Sequence, residues 1–580
     1  MTALAPGATI AKRAATPASR ARPARLTRRR WHPRPEFWWF LVPCCAYLVL
    51  GALLAFRFES FNGDAQARVG NAYYVLFSRD PHLAAIGFVW NPLPSMSVIP
   101  VLLFSKLWTP LADRAFAGNI MSAVFMAGTI ATMRGLMADL RVRRPVGTVL
   151  TLLFAVHPMI LYYGANGMSE GLFLFLLVVA TRHLMRYLES GATRPLLITA
   201  LVLALAYYAR NEAAAAIGFT TIVVLAVRFR LSRGPSRARR RAALVDTTVV
   251  VLPGLFAFVT WAAASWVIVR HPFEQFSSQY GTASQLTAMT AVGFKLADRG
   301  LAIHLIVLMA PMLAVVAVPA SRRLVRGDLR VLAPIAILGG VLAFAFLAYL
   351  GGQTAGWFRY FITAAPMTVV LTGVCLSPPP RSHAGVVPSP TRRATGVLPA
   401  MVAVAVALLP SLLAEGVAMA DPRVGQEEYL HLSHVFRPGA RHVTTVLAPT
   451  PRDRSLRERE LHPSSARIAR YLDRLHLPDG AIVTDTFSPC VPLIVLSSRH
   501  PTQFVITNDR DFQRVLDSPS TFHARYFLAP ADGTLANLDA INRAYPTLAA
   551  DGDQVVDPVP AHEFRDVGCP IFRLYRVHEQ

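Results

Sequence analysis

Apolar residues in most of this chain do not alternate with polar ones. They come in long runs parted by short polar breaks. A helix needs about 20 apolar residues to cross a bilayer core. Suitable runs occupy 37–57, 114–134, 146–162, 170–187, 196–209, 211–230, 244–269, 300–319, 331–350, 357–376 and 397–417, which predicts eleven spans. A further apolar run, 95–108, is short and has Pro94 and Pro100 at or near its start. Beyond 417 the pattern changes. Short apolar runs at Ala481–Val483, Phe504–Ile506, Tyr526–Leu528 and Ile571–Tyr575 read as strands, and 464–476, 509–517 and 535–544 read as helices, which predicts a small α/β domain. The expected organisation is a tail at 1–36, a membrane domain at 37–417, a linker at 418–462 rich in Pro, Arg and His, and an outer α/β domain at 463–580. The fold class is therefore an all-α polytopic membrane bundle of about eleven spans with a C-terminal extracytoplasmic α/β domain.

Composition agrees with that pattern. The chain has 580 residues, 53% hydrophobic and 16% charged. Soluble chains carry about 25% charged residues, so a disordered protein or a soluble multidomain enzyme is excluded. The formal net charge of +24 is more ambiguous. It suits nucleic acid, a membrane surface, or basic loops kept on one side of a bilayer. All but three of the 58 basic residues (Lys12, Lys106 and Lys295) are arginine, and with much Ala and Pro this suggests a GC-rich bacterial genome.

The placement of the arginines decides the topology. The tail is basic, with no acid before Glu36, which by the positive-inside rule puts the N-terminus in the cytoplasm. If 95–108 does not cross, the arginine-rich loops 134–144, 181–194, 228–241, 320–330 and 377–396 all fall on the tail side, and 162–170 and 351–359 face outward nearly free of arginine. If it crosses, every later loop inverts and the pattern fails. The run 95–108 is thus expected to dip into the outer leaflet or pack beside the bundle. The tail has no cleavage-site pattern and a long apolar run, so the first span is an anchor, not a signal peptide. Basic residues confined to short loops, with no accompanying binding motif, argue against a nucleic-acid partner.

Polar residues near membrane depth are expensive and are functional candidates by default. They collect at the outer ends of the spans. Asn62-Gly63-Asp64-Ala65 follows the first span and opens an amphipathic stretch, 65–78. Asp64 reads either as the N-cap of that stretch or as a reactive carboxylate, and the two roles are compatible. The first outer loop is long, 36 residues (58–93), and such loops usually carry function. It adds Arg68, Asp80, His82 and Asn91 as candidate substrate contacts. Trp90, Tyr73 and Tyr74 also suit interfacial anchoring. Asn166 and Glu170 lie in the next outer loop, where the helix dipole also explains Glu170. Arg210 and Glu212 share a later turn and suit a mutual surface pair. Arg359, followed by Tyr360, is alone in its loop and suits snorkelling.

Together these residues form the set that a lipid-phosphate enzyme needs. A carboxylate deprotonates an acceptor hydroxyl. Arginines bind a phosphate and stabilise its charge as it leaves. Of the five cysteines, Cys44, Cys45 and Cys375 lie in apolar runs, and Cys490 and Cys569 are candidates to pair in an oxidising compartment. No spacing resembles a zinc site, no cofactor is required, and no His or acid cluster supports a divalent metal.

Those residues resemble the GT-C class of membrane glycosyltransferases, which includes protein mannosyltransferases and bacterial aminoarabinose transferases. The likeness rests on Asn62-Gly63-Asp64-Ala65, on His157-Pro158 through Tyr162-Tyr163 to Ser169-Glu170, on Tyr208-Ala209-Arg210-Asn211-Glu212, and on Arg359-Tyr360-Phe361 with Pro366. It covers roughly 37–376. The class often has a doubled acid after the first span; here Gly63 precedes Asp64. The long first loop resembles more closely a set of actinobacterial membrane proteins. The resemblance implies an inverting transferase of hexosyl or pentosyl units in the plasma membrane, with a polyprenyl-phosphate sugar donor and an extracytoplasmic glycan, lipid or protein acceptor. Asp64 would be its general base, Arg210 or Arg359 its phosphate contact, and Glu170 a positioning group. The alternatives are a transporter or flippase, which would favour inverted repeats and midplane polar groups, and a noncatalytic scaffold with an outer binding domain.

Overall fold

A computed structural model describes residues 35–578, apart from 233–234, 292–298, 381–395, 437–453, 532–535, 558–560 and 567–568. The basic tail and most of the loop 377–396 therefore lie outside the described residues. Eight described helices are long and apolar enough to cross a membrane: Phe37–Arg57, Phe116–Asp139, Glu170–Ser190, Ala213–Leu231, Ser236–Val269, Leu329–Leu350, Phe358–Leu376 and Val397–Met419. A ninth is the pair Gly300–Met309 and Leu313–Val325, bent by 75°. Pro311 sits at the bend, where its missing N–H ends the helical ladder.

The remaining expected spans are shorter. Thr193–Ala209 is one apolar helix. The run 146–162 is broken into Arg144–Ala155 and Pro158–Tyr163 at His157-Pro158. Freed backbone groups at membrane depth need partners. Glu415 supplies one, accepting from the Met159 N–H at 3.4 Å and lying 2.5 Å from His157 Nδ1. Leu93–Leu102 has ten residues, about 15 Å of helix, which is too short to cross. It packs beside the bundle.

Seven helices carry the rest of the argument: α1 (Gly63–Phe77), α2 (Phe116–Asp139), α3 (Glu170–Ser190), α4 (Ser236–Val269), α5 (Gln426–Phe436), α6 (Arg454–Arg474) and α7 (Val491–Ser497). The C-terminal domain, called the outer domain after the orientation expected from the sequence, adds five strands, β1 (Ile482–Thr484), β2 (Phe504–Ile506), β3 (Tyr526–Pro530), β4 (His562–Phe564) and β5 (Phe572–Arg576), in the order β2-β1-β3-β5-β4. β1 is parallel to β2 and β3, and β5 is antiparallel to β3 and β4. β1 and β2 are buried at every position. A strand covered on both faces reads as a short continuous apolar run, which is why these strands stand out in the sequence. β4 is half-buried at an edge and does not.

The segment 418–462 departs from expectation. It contains α5 and the start of α6, which begins at Arg454. α7 is also absent from the sequence reading, and it joins the two domains. Leu493 and Leu496 belong to the membrane-domain core, and Val491 and Ile494 belong to the outer-domain core. Pro492 stands beside Gly70 of α1. Cys490, at the head of α7, is disulfide-bonded to Cys569, with Cα atoms 5.9 Å apart. A covalent tie thus holds the helix that backs α1.

Candidate active site

The first outer loop turns into α1 through Asn62. The Asn62 carboxamide oxygen accepts the Asp64 N–H at 3.0 Å. Asn62 is therefore the cap, and Asp64 lies in the first turn with its carboxylate left for other partners. This corrects the capping role expected of Asp64.

The loop 164–169 is pressed against this turn. Its carbonyls at Ala165 and Gly164 accept from Asn119 (2.5 Å) and Ser122 (3.4 Å) of α2, and Ser122 Oγ accepts the Gly167 N–H at 3.1 Å. Gly167 has φ +80°, and a Cβ there would lie 3.2 Å from Ala65 Cβ and from the Gly118 carbonyl carbon. Both the backbone and the space require glycine. The result is that Glu170, at the head of α3, arrives beside α1.

Two arginines join these acids. Arg359 Nη2 donates to Asp64 Oδ2 at 3.0 Å, and its Nε lies 3.6 Å from Glu170 Oε1. Arg210 Nη1 donates to Glu170 Oε1 at 2.6 Å, and its Nη2 to Glu212 at 2.7 Å. Arg210 and Glu212 do pair, and Arg210 also reaches into the cluster. Tyr360 lies under both guanidinium groups, at 5.4 Å from Arg210 and 5.5 Å from Arg359. Arg359 does not snorkel: its side chain is 6% exposed. Arg68 stands over Trp90 at 5.5 Å and donates weakly to Met168 Sδ.

Two further acids come from α5. Glu427 contacts Arg359 directly and accepts from Asn62 Nδ2 at 2.6 Å. Glu428 accepts from the Tyr163 hydroxyl at 2.5 Å. Neither was a sequence candidate, because acids are ordinary in a polar segment. The available signal was two adjacent acids a few residues past the last span.

The remaining candidates lie apart from this cluster. Asp80 accepts from Arg510 Nε of the outer domain at 2.9 Å, and His82 Nδ1 meets the Asp80 carbonyl at 2.6 Å. Asn91 donates to the Tyr207 carbonyl at 2.5 Å. Asn166 accepts the Met168 N–H at 3.1 Å within its own loop. Trp90 faces Phe487 of the outer domain at 6.3 Å, and Tyr74 is fully buried.

Electrostatics separate the carboxylates. Burial pushes Asp64 up, but Arg359, Arg68 and Arg210 outweigh it and hold the group below the usual range. Arg210 likewise keeps Glu212 low against its burial. Burial pushes Glu428 up to about 7 despite the Tyr163 hydrogen bond. Access separates them further: the Asp64 side chain is 36% exposed and that of Glu170 only 2%. Asp64 is thus an ionised, reachable carboxylate flanked by guanidinium groups. Among the described residues, no group of three or more His, Cys, Asp or Glu is arranged to hold a metal ion.

No protein-family model matches the sequence, and no curated protein does. Solved structures do match. ArnT from Cupriavidus metallidurans bound to undecaprenyl phosphate aligns with a TM-score of 0.51 at 11% identity, covering 94% of this chain and 98% of that one. Its apo state aligns at 0.50 and 12% identity over the same shares. The oligosaccharyltransferase AglB from Archaeoglobus fulgidus, in complex with an inhibitory peptide and a dolichol-phosphate, scores 0.41 at 10% identity over 86% of this chain and 70% of that one. The chain therefore has the ArnT fold, a GT-C fold of membrane helices followed by a small sheet domain, along nearly its whole length.

Proposed function

We propose that this chain is an integral membrane glycosyltransferase that moves a sugar from a polyprenyl-phosphate donor to an extracytoplasmic acceptor with inversion. One observation carries the reading: Asp64, Glu170, Arg210 and Arg359 converge at the outer ends of four segments that are far apart in sequence. The match to the ArnT fold adds support, since that ArnT structure holds undecaprenyl phosphate. In this reading the N-terminus is cytoplasmic, the sheet domain is extracytoplasmic and the membrane is the plasma membrane. The arginine-poor outer loops support that orientation.

Chemically, the acceptor hydroxyl oxygen forms a bond to the anomeric carbon as the bond from that carbon to the phosphate oxygen breaks. Asp64 takes the hydroxyl proton. The bonding electrons leave on the polyprenyl phosphate, whose growing charge falls to Arg359 and Arg210. Glu170 holds both guanidinium groups in place. Tyr360 packs beneath them and keeps water from that side. The acceptor is a cell-envelope glycan, lipid or protein, and the transferred unit a hexose or pentose.

The test is Asp64→Asn, which keeps size and the Asn62 cap but removes the base. Sugar transfer should fall by about 10²–10⁴ at unchanged protein level, with polyprenyl-phosphate binding no weaker than in the wild type. Full transfer by the purified variant would refute Asp64 as the base. A transporter reading has no comparable support, because the polar residues gather at one membrane face and not at the midplane.

A further inference from the structure

α4 is too long for a bilayer. Its 34 residues span about 51 Å, against a hydrocarbon core of about 30 Å. The surplus is at its N-terminal end, on the arginine-rich side of the protein, where Ser236–Arg241 reads SRARRR.

Most buried or half-buried arginines on that side have acidic partners. Arg182 and Arg186 share Asp139, and Arg330 pairs with Asp328 and Glu189. Arg228 pairs with Asp246. Arg237, Arg240 and Arg241 are different. They are exposed, and no carboxylate pairs with any of them among the described residues. They line one end of a shallow, open groove of about 580 Å³ formed along α4 alone, whose other lining includes Leu244, Val245 and Thr248.

The helical repeat explains the arrangement. At 100° per residue, Arg237, Arg241, Leu244, Thr248 and Leu252 stand on one face. Leu244 and Leu252 are 59% and 60% exposed. The face is therefore cationic for its first two turns and apolar below, in the order that a phospholipid presents a charged head and then an acyl chain. A cluster of Lys and Arg at the cytoplasmic end of a membrane helix attracts anionic headgroups.

We propose that this groove holds an anionic phospholipid, with its phosphate on Arg237, Arg240 and Arg241 and an acyl chain along Leu244, Thr248 and Leu252. The site is on the face of the protein opposite the Asp64 cluster and does not depend on the transfer activity. It would anchor the inner end of α4 at the headgroup level.

The test uses the full-length protein in detergent with phosphatidylglycerol as the probe and native mass spectrometry as the readout. The wild type should retain phosphatidylglycerol and not phosphatidylcholine. Arg237→Gln with Arg240→Gln and Arg241→Gln should weaken retention on the order of 100-fold. The charge-matched control, Arg141→Gln with Arg143→Gln and Arg144→Gln, should leave it unchanged. Thr248→Trp keeps every charge and fills the apolar path, so it should also release the lipid; this variant decides the matter if the triple variant fails to fold. Equal losses in both triple variants would mean bulk charge only. Equal retention of phosphatidylcholine, full retention by Thr248→Trp, or displacement of the lipid by equimolar glycerol 1-phosphate would each overturn the proposal.

Discussion

Arg359 faces three carboxylates. Asp64, Glu170 and Glu427 all meet one guanidinium group. Around them stand five acids (with Glu212 and Glu428) and three arginines (with Arg68 and Arg210), so the site is more negative than positive. In the proposed reaction a donor phosphate adds negative charge. It reaches Arg359 only if one carboxylate gives way, and Glu427 is the one carried by α5 rather than by α1 or the head of a span. Glu427→Gln should therefore tighten polyprenyl-phosphate binding by roughly fivefold, about 1 kcal/mol, as measured by titration of the purified protein. Weaker binding would instead assign Glu427 to holding Arg359 in place. Arg359→Gln should weaken the same binding by tenfold or more, about 1.5–3 kcal/mol for a charged hydrogen bond. Asp64, Glu170, Arg210 and Arg359 are legible in the sequence because each is a charge at the end of an apolar run. Glu427 and Glu428 are not, because their one local mark, two adjacent acids in a polar segment after the last span, is too ordinary to single them out.

At the scale of elements, the outer domain is held onto the membrane bundle by three devices. α7 belongs to both cores. Arg79 pairs with Asp509 and Asp511, and Asp80 with Arg510. Tyr280, from the membrane domain, stacks on Phe487 at 4.0 Å and donates to Asp485 at 3.1 Å. Arg79→Ala leaves Asp509 buried without its cation. It should cost roughly 1–2 kcal/mol and speed hydrogen exchange at Ile506, whose N–H donates to Asp509.

The outer domain also carries a pH dependence. Burial, and then the charge of Asp485, push Asp539 up to about 7. An unfolded aspartate ionises near pH ~4. Between those values the folded state holds the proton that the unfolded state has lost, so stability falls as pH rises through the window and stays lower above it. The melting temperature of the outer domain should be lower at pH 8 than at pH 5, by about 4 °C or more. Asp539→Asn keeps the helix cap that Asp539 makes to Ile541 and Asn542 and should lessen that slope, the remainder coming from Asp509, which burial also pushes up to about 7. An unchanged slope would place the titration elsewhere.

At the scale of the whole molecule, the disulfide, α7, α1 and Asp64 form one physical chain. Cys490→Ser with Cys569→Ser should lower stability by about 2–5 kcal/mol, and loosening of α7 should reach α1 as faster exchange along its length. Measured exchange that rises in the sheet domain and not in α1 would break that link. The sequence alone determined the membrane class, the approximate spans, four of the five strands (β2 in place, β3 from its true start, β1 and β5 displaced by one residue), and the charges gathered at the ends of the spans. These follow from hydropathy and charge, which are local properties of each segment, and a bilayer imposes them one segment at a time. Tertiary structure alone decided that Arg359 is buried, that Asp80 serves the outer domain, and that Glu427 and Glu428 enter the site. Each depends on contact between segments up to hundreds of residues apart, and no local pattern encodes which distant partner a side chain will meet.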